Sequence, residues 1–134
     1  MKPEDLTKTY RRYEIDGFEV LVGRTSADND RLTFRVARPR DFWLHVSGFA
    51  GSHVVVRNPE GVAELPRSVL EKAAALAAWN SKAREAGGKV EVHLCRASEV
   101  GKPPGFAPGK VQLKRWDAVK VYPAAAKDLE ETRA

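Results

Sequence analysis

The run Asp41-Phe42-Trp43-Leu44-His45, followed by Gly48 and then Gly51-Ser52-His53, gathers the densest chemistry in this chain. On a strand, Trp43 and His45 share one face while Phe42, Leu44 and Val46 share the other. An antiparallel return would bring His53 to the same end of the sheet, and glycines at 48 and 51 would let backbone N–H groups in the turn approach an anion. Three chemistries fit these groups. An aromatic plane beside a glycine turn could stack a base and hold a phosphate. His45 and His53 could serve as acid and base in a phosphodiesterase. Ser52 with a histidine and Asp41 could form a nucleophilic triad, but the Gly-x-Ser-x-Gly elbow is missing and Ser52 reads better as a turn residue. The bland alternative makes Trp43 core and each histidine a structural hydrogen bonder.

A second constellation is Val100-Gly101-Lys102-Pro103-Pro104-Gly105-Phe106-Ala107-Pro108-Gly109-Lys110. Its prolines fix much of the backbone, so Lys102 and Lys110 are offered with little entropy left to lose. Lysines on such a loop suit phosphates, which position a nucleic acid without reading its sequence. The loop lacks the Gly-Lys-Ser/Thr ending of a nucleotide P-loop, so no nucleotide cofactor is expected. His45, His53 and His93 have no close ligand spacing, and Cys95 adds little, so no metal is expected either.

The elements that must position these groups follow from pattern. Tyr10–Ile15 and Phe18–Gly23 flank Asp16-Gly17, the strongest short-range hairpin signal. A two-residue loop sets Ile15 opposite Phe18, Tyr13 opposite Val20 and, at a small cost, Glu14 opposite Glu19 unless a neighbouring arginine intervenes. Between 26 and 38, Leu32, Phe34 and Val36 alternate as a strand would, yet Ser26 or Asn29 could cap a short helix; the helix is the favoured reading. Residues 41–46 and 53–57 read as strands. The long helix spans about 66–86, opened by Pro66 and stopped by Gly87-Gly88. Its apolar arc of Val69, Leu70, Ala73, Ala74 and Ala77 continues into Asn80, Ser81 and Arg84, so the stripe turns polar at its end. Either the helix emerges from the core there or those residues line a cleft. Lys89–Cys95 alternates as a strand, and 111–113 with 119–122 are expected to close as another hairpin. The whole is α+β: an antiparallel or mixed sheet packed by one long helix and one short one.

Length and charge set the frame. The 134 residues suit one domain, with 43% apolar and 31% charged residues. The single cysteine cannot form an internal disulfide, Met1–Asp5 has no signal-peptide core, and no run approaches the roughly 18 apolar residues of a membrane span. A cytoplasmic protein with no membrane partner is the expectation. The net charge is +5, and residues 101–123 concentrate it, with Lys102, Lys110, Lys114, Arg115 and Lys120 against the single acid Asp117. That permits an anionic partner.

Several blocks, in order, resemble the NFACT-R domain. They are Gly17-Phe18-Glu19-Val20-Leu21-Val22-Gly23-Arg24, Asn29-Asp30-Arg31-Leu32-Thr33, Asp41-x-Trp43-Leu44-His45 with Gly51-Ser52-His53-Val54, Ala73–Ala78 with Ser81-Lys82-Ala83-Arg84, and Lys102–Gly109. The resemblance covers roughly 10–123 and implies an RNA-binding domain that, within full-length NFACT proteins, helps hold tRNA on the large ribosomal subunit during rescue of stalled synthesis. The other NFACT elements do not fit in this length, so the chain resembles a stand-alone form and tail synthesis is not carried over. It departs from the pattern at Ser47 and Ala50, where a basic residue and a proline are common, and at Gly101 and Pro104, where more positive charge is usual; weaker binding or a different RNA would follow.

The resulting expectation is a lead-in at 1–9, an RNA-binding domain at 10–123 and a polar tail at 124–134. The partner would be tRNA or ribosomal RNA, and the role non-catalytic. Arg24, Lys102 and Lys110 would meet phosphates, and Trp43, His45 and His53 would meet a base or ribose. Gly48, Gly51 and Ser52 would shape the turn, with Asn29 and Ser81 as polar supports. The alternatives are a phosphodiesterase-type hydrolase using His45 and His53, and a ribosome-associated protein-protein module.

Overall fold

Asp16 and Gly17 both take positive φ, 50° and 89°, as a tight hairpin turn requires. They join β1 (Tyr10–Ile15) to β2 (Phe18–Gly23) in the expected register, Ile15 opposite Phe18 and Tyr13 opposite Val20. Glu14 does face Glu19, and Arg12 intervenes by pairing with the Glu19 carboxylate. The computed structural model describes residues 10–129, so the lead-in 1–9 and the last part of the tail, 130–134, lie outside it.

Residues 26–36 are helical: α1 (Ser26–Arg31) runs into a π-helical turn, Leu32–Val36. The cap is neither Ser26 nor Asn29 but Thr25, whose Oγ1 accepts the Asp28 N–H at 3.1 Å, and this leaves Asn29 to be buried. β3 (Phe42–Val46), β4 (Val54–Val56), α2 (Arg67–Trp79), β5 (Val90–Arg96), β6 (Val100–Gly101), β7 (Gln112–Leu113), β8 (Asp117–Val121) and α3 (Ala126–Leu129) follow. The main sheet has six strands in the order β1-β2-β4-β3-β5-β8 and is antiparallel at every pairing. The fold is α+β.

Both faces of this sheet are covered. On one, Val20, Val22, Phe42, Leu44, Val46, Val54, Val56 and Val92 meet α2, whose Ala73, Ala74 and Ala77 let the helix lie close to the valines. On the other, Leu21, Val55, Trp43 and Cys95 form a row across four strands. Leu32 and Val36 of the helical segment and Val100, Val111 and Leu113 cover that row.

Two further expectations are corrected. Residues 111–113 do not pair with 119–122. β7 pairs with β6 as a separate ribbon, and β8 pairs with β5. The two stretches bury on opposite faces, Val111 and Leu113 beside Trp43 and Val119 and Val121 beside α2, which a shared hairpin would not allow. The long helix also stops at Trp79, well short of Gly87. Asn80 turns its side chain back to donate to the Leu76 carbonyl at 2.9 Å. The chain then crosses to 50–52: Ser52 N–H donates to Asn80 O at 2.9 Å and Lys82 N–H to Ala50 O at 2.8 Å. The helix therefore ends on a tertiary tie, with the glycines playing no part in the stop.

Candidate nucleic-acid interface

The end of β3 and the turn after it are anchored from beneath by one chain of hydrogen bonds. Trp43 Nε1 donates to Thr33 Oγ1 at 3.0 Å, Thr33 Oγ1 meets His53 Nδ1 at 2.7 Å, and His53 Nε2 meets the Gly109 carbonyl at 3.2 Å. A carbonyl only accepts, so Nε2 carries the proton and Nδ1 accepts from the threonine hydroxyl. His53 is thereby held neutral in one tautomer. Burial and, second, the neighbouring His45 push its pKa down to about 4. His45 stacks on Trp43 with ring centroids 5.9 Å apart and stands edge-on to His53 at 5.5 Å. It is only partly buried. Its pKa is also lowered, by desolvation first and then by His93.

These contacts relocate several expected site residues. Trp43 and His53 are each 1% exposed, so neither offers a face to a ligand; they carry His45 and the loop at Gly109. Sheet position alone suggests a contact surface because it does not show that the short helix and the β6–β7 ribbon cover this face. Asn29 is a support: its Oδ1 accepts His53 N–H at 3.0 Å and its Nδ2 donates to Gly51 O at 3.4 Å. Ser52 Oγ donates to Gly23 O at 2.6 Å, and the Asp41 carboxylate is taken up by Arg57, Arg38 N–H and Asn58 N–H. Serine, histidine and this acid do not form a triad. Gly51 bridges to Ser81, and a Cβ there would lie 2.5 Å from the Ser81 Cβ, so the close crossing requires glycine. Gly48 is exposed at φ 78°. Lys102 turns inward, its ammonium donating to Asp30 Oδ1 at 3.3 Å, Ala107 O at 2.7 Å and Lys110 O at 2.6 Å.

What remains on the surface is a two-part groove astride Ala50-Gly51. One part, about 410 Å³, is bordered by Arg24, Thr25, Ser26, Ser52, Asn80, Ser81, Lys82 and Arg84. The other, about 460 Å³, is bordered by His45, Gly48, Phe49, Pro108, Gly109 and Lys110. Ser26, Asn29, Ala50 and Gly51 line both. Among the described residues neither lining contains a carboxylate, while Arg24, Lys82, Arg84 and Lys110 supply cations. Arg84 is held in place, its Nε donating to Trp79 O at 2.6 Å and its guanidinium lying 4.4 Å over the Trp79 ring. Phe49, 47% exposed on its glycine turn, is the aromatic that can stack on a ligand. Of the two readings of the polar end of the helix stripe, the cleft is the one found.

Phe49 and Lys82 had not been singled out. The first was overlooked beside the richer Trp43 segment, and the second because helical spacing set it off the polar arc. The Ser81-Lys82-Ala83-Arg84 run is the visible signal for Lys82. A separate pocket at the Phe42 end of β3, about 240 Å³, has Glu64, Glu99 and Asp117 on its walls. Its arginines are engaged, Arg115 with Glu99 and Arg96 with the carbonyls of Arg40, Val62 and Ala63. A polyanion would be repelled there.

Residues 8–115 match the NFACT protein RNA binding domain. The chain belongs to that family. It is 38% identical over 125 residues to the Rqc2 homolog RqcH of Bacillus subtilis, covering 92% of this chain and 21% of that protein. It is 30% identical over 80 residues to the ribosome quality control complex subunit NEMF homolog of Drosophila melanogaster, covering 56% of this chain and 8% of that one. The NFACT-R fold is also seen in the C-terminal part of the fibronectin/fibrinogen-binding protein of Streptococcus suis, with a TM-score of 0.82, 32% identity, and coverage of 94% of this chain and 49% of that one. The chain thus spans about a fifth of the length of the RqcH relative.

Proposed function

We propose that this chain is an RNA-binding module of ribosome quality control, acting in the cytoplasm on tRNA or ribosomal RNA and placed at the large ribosomal subunit. The observation that carries the reading is the groove astride Ala50-Gly51, whose lining, among the described residues, has four cations and no carboxylate. Family membership and the relative named as a ribosome quality control complex subunit support the same direction. Arg24, Lys82, Arg84 and Lys110 hold phosphates, Phe49 and His45 meet a base or ribose, and Gly48 and Gly51 let the backbone approach. Lys102, His53, Trp43, Asn29, Ser52 and Ser81 hold these groups in place. The role is one of binding: His53 has both ring nitrogens engaged inside the protein, so it is not free to act as acid or base beside His45.

Fluorescence anisotropy of labelled tRNA, single-stranded RNA and duplex DNA across a salt series tests this. Wild type should favour tRNA. Lys82→Ala/Arg84→Ala should weaken binding about tenfold or more and reduce the slope of log K against log salt by about two, since each lost phosphate contact contributes close to one. Lys72→Ala, on the far side of α2 beside Asp16, should leave both unchanged. Equal, weak binding of all three nucleic acids would refute the reading.

A further inference from the structure

We propose that Asp30, an acid set beside the basic groove, is a positioning residue for RNA binding, because it clasps the loop that presents Lys110. The inference rests on the RNA-binding reading and deepens it. Between β6 and β7 the chain has no regular backbone pairing, yet the loop is tied at several points. Asp30 Oδ1 accepts the Gly109 N–H at 3.0 Å and also the Lys102 ammonium at 3.3 Å. The same ammonium reaches the carbonyls of Ala107 and Lys110, so its three protons have three acceptors. From the other side the Gly109 carbonyl meets His53 Nε2 at 3.2 Å. Gly109 is fixed at both its polar groups, at a φ of 83°, with room for a Cβ only by crowding Ser26 at 3.2 Å.

The charge of Lys102 is therefore committed inside the loop, opposite Asp30. Lys110 has its carbonyl held by Lys102, is exposed, and lines the groove. Two effects of Asp30 on a polyanion oppose each other. Its charge repels phosphate, but Asp30 is half-buried and paired with the Lys102 ammonium 3.3 Å away, which offsets that repulsion. Its two hydrogen bonds order a loop that the RNA would otherwise have to order on binding. The second is the larger, so removing a negative charge from the neighbourhood of the groove weakens RNA binding.

The test has two readouts. Without RNA, amide hydrogen exchange at Gly109 should be slow in wild type and fast in Asp30→Ala. With labelled tRNA, Asp30→Ala should bind about tenfold more weakly, with a salt slope lower by about one, and should add little in a Lys110→Ala background. Asp30→Asn, which keeps an acceptor for Gly109 and loses the ion pair, should fall between wild type and Asp30→Ala; it gives the answer should Asp30→Ala fold poorly. Binding by either variant as tight as wild type or tighter would overturn the proposal, as would a loss of equal size with and without Lys110. Unchanged Gly109 exchange in Asp30→Ala would overturn the clasp alone, whereas wild type that binds no tRNA would overturn the RNA-binding reading beneath it.

Discussion

Trp43→Ala is expected to destabilise the protein by about 3–5 kcal/mol, the range for deleting a fully buried aromatic. Trp43 is 1% exposed and packs in the cluster formed with Tyr10, Leu21, Leu32, Val55, Cys95 and Val100. The loss joins the transfer term for the indole to a cavity bounded by strands that cannot collapse without breaking register. Trp43→Phe separates the two roles of the side chain. It keeps most of the apolar area and loses only the indole donor to Thr33, so about 1 kcal/mol is expected. Urea unfolding of the three proteins checks both figures. A cost below about 0.5 kcal/mol for Trp43→Ala would be a surface result and would contradict the covered second face.

The second large effect is acid destabilisation at unusually mild pH. His53 titrates near its ordinary 6.5 in the unfolded chain and at about 4 when folded, because burial and then His45 disfavour its charged form. Between those values the unfolded state binds a proton that the native state refuses. Stability is therefore fully retained above about pH 6.5 and falls as pH drops toward 4, at about 1.4 kcal/mol per unit for one proton, some 3 kcal/mol in all. His45, whose pKa is also lowered, acts in the same direction. Protonation at His53 Nδ1 would leave the Thr33 hydroxyl proton without its acceptor. The Nε2–H bond to Gly109 favours the charged form, so the cost falls on burial and the Thr33 contact. Urea unfolding at pH 7.5, 6, 5 and 4 should show the fall, and His53→Asn should flatten it. A constant stability from pH 7.5 to 4.5 would be incompatible with a neutral, buried His53.

How far the residues announced this arrangement depends on whether the deciding contacts were local. The β1–β2 register follows from Asp16-Gly17, and the alternation of Val90, Val92 and Leu94 in β5 from the pleat; both are set by neighbours in sequence. The end of α2 is not, since Asn80, Ser81 and Lys82 are turned aside by the 50–52 segment, far away in the chain. The same is true of β7, which chooses Val100 over its neighbour β8 because Val111 and Leu113 belong on the Trp43 face. The site divides similarly. Gly51, Ser52 and Ser81 were recognisable as turn and support residues. Trp43 and Lys102, the two most conspicuous candidates by type, face inward, because an aromatic and a cation on a loop are as well suited to bracing that loop as to touching a ligand. Phe49 and Arg84, less conspicuous in sequence, carry the exposed aromatic face and the fixed guanidinium.

Amide hydrogen exchange of the wild-type protein with and without saturating tRNA tests most directly whether RNA lies in the groove astride Ala50-Gly51. Exchange should slow at residues 24–26, 48–52, 80–84 and 108–110 on adding tRNA. Unchanged exchange in those four segments, with protection instead at 63–65, 94–96 and 115–117, would contradict it.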